Sequence, residues 1–269
     1  MCAVRGTNRP TRVKTLLLGT VVLASCGGPQ DAEGPLSYSQ TARRNYDDGM
    51  EELQDDNCLE AINFFNHVKR KFPYSRYAAL SELRIADCDY LQEKYTEAIS
   101  GYRQFLRAHP THSDTDYAAF QIGLGYYRMV PSDWFIVPPA FERDLTPARD
   151  AHAELRRFLD DYPRGRNRRW AGNLVTKVLV LLARHEMYVA RYYLDRDVYD
   201  GAIGRLQTVF RDLQGSGLEP DAMLLLAETY MRMHRATDAR ELLRELRDRY
   251  PRTHQSRRAA YFLEFLGEG

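Results

Sequence analysis

His109 and His112, in His109-Pro110-Thr111-His112, have a spacing that could serve a zinc site, and carboxylates pair at Asp47-Asp48, Glu51-Glu52 and Asp55-Asp56. Proline lacks the N–H that continues a helix, so Pro110 puts the two imidazoles at a turn, not on one helical face. The carboxylate pairs fit the solvated face of a first helix. No HExxH, nucleophile elbow, phosphate loop or dinucleotide glycine pattern occurs. The expectation is a protein that is not an enzyme and binds no metal or diffusible cofactor.

One thiol has a different chemistry in prospect. Residues 1–25 hold Arg5, Arg9, Arg12 and Lys14, no acid, and an apolar run from Leu16 to Ala24. That order predicts a secretory signal peptide, too short to span a bilayer. It ends in Leu23-Ala24-Ser25-Cys26, which resembles a bacterial lipobox and implies a covalent lipid on Cys26. Gly27 is not the aspartate that retains enterobacterial lipoproteins in the inner membrane, so the outer membrane, on its periplasmic face, is the expected address. Residues 26–36 then form the lipidated N-terminus and a Gly/Pro-rich tether. Without the leader, 38 Lys+Arg against 37 Asp+Glu becomes 34 against 37, a net charge of −3. That balance does not suggest a nucleic-acid binder. Cys58 and Cys88 remain, in a compartment that permits disulfides; a bridge or two buried thiols both fit.

The elements that carry these residues repeat. In YTEAISGYRQFLRAHP, Ala98, Ile99, Tyr102, Phe105 and Leu106 form one helical stripe that ends at Pro110. Ala61, Ala151 and Ala239 likewise stand twelve residues before Pro73, Pro163 and Pro251, and Ala202 heads a fifth copy with Gln214 in the proline's place. Four residues after each alanine comes Phe65, Tyr102, Leu155, Leu206 or Leu243; seven after it comes Val68, Phe105, Phe158, Val209 or Leu246. Upstream, Gly49, Ala86, Ala190 and Ala227 are small where a preceding helix must pass closely. The pattern resembles the tetratricopeptide repeat. It predicts an all-α fold: a right-handed superhelix of five such repeats, an α–α solenoid, with a capping helix at Gln255–Leu266. Two units are long. Met129–Pro147, with four prolines, predicts a loop inside repeat three, and 168–194 predicts one long helix.

Further segments sharpen the resemblance: FPYSRYA (72–78), RAHPTHSDTDYAAFQIGLGYY (107–127), FERDLTPARDAH (141–152) and YVARYYLDRDVYDGAIGRL (188–206). With the lipobox and tether they resemble the BamD family, outer-membrane lipoproteins of the β-barrel assembly machinery. The resemblance implies that residues 166–269 dock on the last periplasmic POTRA domain of BamA. Arg205 matches the family's arginine for that contact, and Tyr192 and Arg196 are candidates beside it. Arg205→Glu is expected to weaken BamA co-purification. The resemblance also implies that residues 37–165 receive unfolded outer-membrane proteins. Tyr46, Tyr77, Tyr117, Tyr126 and Tyr127 could offer stacking surface to a barrel strand, although a tyrosine at helical spacing more often fills a core. Other lipoproteins of the machinery are further candidate partners. The insertion and Cys58, which replaces the usual aromatic, depart from enterobacterial relatives. The arginine cluster at Arg164, Arg166, Arg168 and Arg169 fits an acidic partner or lipid headgroups, or else a solvated turn. A pilotin for pilus secretin assembly, or a cell-wall enzyme anchored by repeats, are the alternatives; the second would need a catalytic domain that these residues leave no room for.

Overall fold

The computed structural model describes residues 35–131 and 139–267. The leader, Cys26 and most of the tether lie outside them, as does the centre of the Met129–Pro147 insertion. Among the described residues there are helices and turns and no strand. Five helical hairpins follow one another: α1 (Pro35–Gln54) with α2 (Cys58–Lys71), α3 (Arg76–Leu91) with α4 (Tyr95–Ala108), α5 (Thr115–Arg128) with α6 (Thr146–Asp161), α7 (Arg168–Leu194) with α8 (Tyr199–Arg211), and α9 (Glu219–Arg232) with α10 (Ala236–Arg249). Helix α11 (His254–Phe265) packs last, against α10 and α9.

The repeat positions are the core. Ala61, Ala98, Ala151, Ala202 and Ala239 have no exposed surface, and neither do Phe65, Tyr102, Leu155, Leu206 and Leu243. A methyl group at the first position lets the second helix approach its partner, and the large side chain one turn on fills the groove beside it. Each such large residue contributes roughly 1.5–3 kcal/mol by leaving water.

Helix ends follow the prolines. Phe72, His109, Tyr162 and Tyr250 leave the helix at φ −128°, −131°, −122° and −130°, each just before its proline. Helix α8, with no proline after it, passes through Asp212 in helical conformation and turns at Gly215, φ +92°.

The turns inside four hairpins share a feature that no glycine announces. Asp56, Glu93, Asp197 and His234 sit in the left-handed region at φ +58°, +60°, +55° and +57°. The next residue's N–H then reaches back five positions, as in Asn57 to Glu52 (2.9 Å), Lys94 to Asp89 (2.9 Å), Val198 to Tyr193 (2.9 Å) and Arg235 to Tyr230 (2.8 Å). These are Schellman closures that satisfy the last carbonyls of the first helix.

Repeat three hides its small residue. A Cβ on Gly123 would stand 2.7 Å from Leu155 Cδ2, so Gly123 is where α5 meets α6. The insertion separates that glycine from Ala151 by far more than the twelve residues seen elsewhere. The described end of the insertion is packed, not free: Ala140–Glu142 form a 3₁₀ turn on α7. There the Phe141 ring lies 5.6 Å from Tyr188 and its carbonyl is 2.6 Å from His185 Nδ1. Helix α7 spans 168–194 without a break, as its sequence predicts. Helix α11 starts one residue earlier than expected, because Thr253 Oγ1 accepts from Ser256 N at 3.2 Å and caps it.

Candidate functional site

Helices of the first three repeats enclose a polar seam. Asp87, on α3, is almost buried, and its Oδ1 accepts from Tyr102 at 2.7 Å and from Tyr117 at 2.9 Å. Its other oxygen pairs with Arg84, one turn back on the same helix. Arg84 Nε in turn donates to the Tyr46 hydroxyl at 3.3 Å, and Gln121 Nε2 donates to Tyr117 at 3.0 Å. Burial, with the Asp87 charge beside them, pushes the Tyr102 and Tyr117 hydroxyls up from the usual phenol range. Burial alone would oppose the charge on Arg84; Asp87 and Tyr46 outweigh it and hold the guanidinium protonated.

Three of the five candidate tyrosines therefore come together. The Tyr46 ring lies 5.4 Å from Tyr77, and Arg84 sits 5.7 Å above the Tyr117 ring. Tyr77 is 6% exposed and supports Tyr46 from behind, whereas Tyr46 and Tyr117 are half-buried. Tyr126 and Tyr127 lie further along α5 and do not join this group. Arg103 stands 5.5 Å over Tyr126 and pairs with Glu154 at 2.6 Å, while Tyr127 lines a cleft of about 400 Å³ with Lys177, Leu181 and Arg184.

The three C-terminal candidates divide as well. Tyr192 and Arg196 form one unit at the end of α7: the guanidinium is 3.6 Å from the ring centre, and its Nη1 donates to the Tyr192 carbonyl at 3.1 Å. Tyr192 is 49% exposed, so the stacked pair is available to a partner. Arg205 reaches across from α8 to Glu186 on α7, 3.0 Å away, with its own side chain 42% exposed and that of Glu186 10%. The bond to Glu186 raises the Arg205 pKa. Arg205→Glu would therefore set two carboxylates against each other inside the fold as well as alter its surface.

Residues picked out for other chemistry have structural partners. His109 Nε2 lies 3.0 Å from Glu82, and His112 Nδ1 accepts from Asp114 N at 3.1 Å, both rings resting on Phe105. Arg166 binds Asp114 at 3.0 Å and Asp116 at 3.1 Å, which joins the turn after α6 to the start of α5. Arg164 and Arg169 stay exposed. Arg84, Asp87, Gln121, Arg103 and Glu186 were not visible as site residues in the sequence. The one hint was an aspartate between Ala86 and Cys88 in a helix that buries its neighbours.

Stacked hairpins of this kind, with aromatic and arginine groups set on helix faces, define a tetratricopeptide-type scaffold. The chain belongs to the YfiO family of outer membrane lipoproteins, whose model matches residues 39–246. It is 24% identical over 249 residues to the outer membrane protein assembly factor BamD of Neisseria meningitidis serogroup A, spanning 89% of this chain and 91% of that one. With the proteins of the same description it shares 27% identity in Xylella fastidiosa (87% and 82% covered) and 26% in Caulobacter vibrioides (83% and 70%).

Proposed function

We propose that this protein is a lipid-anchored scaffold of the outer-membrane β-barrel assembly machinery, and that it works by holding other proteins. The observation that carries this reading is the near end-to-end similarity to BamD proteins, across both halves of the solenoid. Cys26 carries the lipid. Among the described residues no helix is long and apolar enough to cross a membrane.

Residues 166–269 dock on the last POTRA domain of BamA through the Tyr192–Arg196 pair and Arg205. Residues 37–165 receive unfolded barrel strands along Tyr46, Tyr117, Tyr126 and Tyr127, with Tyr77 supporting Tyr46. Barrel strands alternate apolar and polar residues and are rich in aromatics, which suits tyrosine faces interleaved with arginine.

Depletion tests the reading as a whole: many outer-membrane barrels should fall together, and loss of a pilus secretin alone would refute it. For the docking edge, Arg205→Gln combined with Tyr192→Ala avoids the clash with Glu186. Truncating a desolvated interface pair costs about 2–5 kcal/mol, so BamA co-purification should drop at least tenfold with helicity unchanged. Unaltered co-purification would remove these residues from the interface.

A further inference from the structure

Among the described residues, the first repeat is held from one side only. In a solenoid each unit contacts its neighbours, so a terminal hairpin has a single stabilising interface and opens first. Here that interface, between α2 and α3, contains two cysteines. Cys58 is the first residue of α2 and Cys88 lies near the end of α3; they are 5% and 0% exposed. Cys58, Ala61 and Phe65 run along one face of α2, and Cys88 comes down onto that face within the same buried cluster. Both are free thiols in this structure, and both belong to that one cluster.

We propose that Cys58 and Cys88 are a modification site, joined as a disulfide in the exported protein, that staples the membrane-proximal repeat to its neighbour. The proposal rests on the reading of an exported chain. The oxidant is a protein disulfide of the thiol-oxidase class. Cys58 thiolate attacks it to give a mixed disulfide and releases one donor thiolate; Cys88 thiolate then displaces the second donor sulfur. The Cys58–Cys88 bond forms as the mixed disulfide breaks, and the donor, its own S–S bond cleaved in the first exchange, leaves as a dithiol with both electrons and both protons. The exchange occurs before α3 closes over α2, or while the end repeat is open. In the closed fold, burial and the adjacent Cys58 push the Cys88 thiol up, so little thiolate is present to react.

The bond has a further consequence for the seam. Cys88 follows Asp87 directly, so a fixed Cys88 fixes the stretch of α3 that offers Asp87 and Arg84 to the tyrosines.

The test uses the intact chain, taken from acid-quenched cells and denatured with maleimide present. Before reduction, neither Cys58 nor Cys88 should be labelled; after reduction, both should be. The same protein purified in detergent should melt about 10 °C higher oxidised than reduced. As a second arm, reduced protein is refolded with oxidised glutathione. Thiols that stay free there overturn the inference and leave the export reading standing. Thiols that bridge readily in that arm but are free in cells overturn the export reading, and the staple with it. Cys88→Ser should abolish the melting difference; a difference that persists would assign the effect to something other than this bond.

Discussion

Tyr102 and Leu206 occupy the same position in their repeats, four residues after the anchor alanine, and both are fully buried. Leu206 lies in one continuous apolar cluster that runs from α7 to α11 and holds Met187, Ala190, Val209, Phe210, Met223 and Leu243; the polar pair nearest to it in sequence, Arg205 with Glu186, is a single bridge. Around Tyr102 the hairpin geometry is the same, but the groove holds Asp87, Tyr117 and Gln121, and the neighbouring apolar clusters are small and separate. A dry core accepts many side chains of suitable volume. A buried polar seam is stable only with every partner in place, so it fixes the relative setting of α1, α3, α4 and α5. The groove around Tyr102 is thus specified by hydrogen bonds, and the groove around Leu206 by shape.

Mutations that break each half differently sharpen the contrast. Asp87→Ala would leave Arg84 and two tyrosine hydroxyls without their shared acceptor. A loss of about 3–5 kcal/mol is expected in urea unfolding, with exchange protection lost first in α1–α5. Leu206→Ala removes only packing, and about 2–4 kcal/mol should go, spread through α7–α11. Equal loss of protection in both halves for either variant would erase the distinction. In the opposite direction, Glu93→Gly relieves a left-handed non-glycine residue in an exposed turn, and the melting midpoint should rise by an amount equivalent to roughly 0.5–1 kcal/mol.

The smallest effect concerns pH, at the junction of the halves. Burial, with Arg156 nearby, holds His152 on α6 below its ordinary value of 6.5. The unfolded chain takes up that proton first, so stability is level above pH 7 and declines as pH falls through 6.5 towards the lower folded value. His152→Asn should flatten this slope in melting curves recorded between pH 7 and pH 5.

Local signals carried most of the fold. Pro73, Pro110, Pro163 and Pro251 stop helices, five alanines mark the closest approaches, and the unbroken run 168–194 is one helix. What escaped notice depends on residues distant in the chain or on atypical turn chemistry. Asp56, Glu93, Asp197 and His234 make left-handed turns without glycine, because the surrounding helices impose the conformation. Gly123 was masked by the insertion that displaces it from its repeat partner. Asp87 with Tyr117, and Arg205 with Glu186, join different helices, and side chains that meet only after hairpins stack leave no periodic trace. Tyr46, Tyr77 and Tyr117 could be named as a set, but the arginine and aspartate that bind them together could not.

Helix α7 runs 27 residues, about 40 Å at 1.5 Å per residue. Leu174 and Val175 near its start pack with Phe120 and Phe158, while Met187 and Leu194 near its end pack with Leu206 and Phe210. One rigid rod is therefore embedded at both ends in different halves of the molecule. A single unbroken ladder of backbone hydrogen bonds thus ties the packing beside Tyr192 to that of the third repeat.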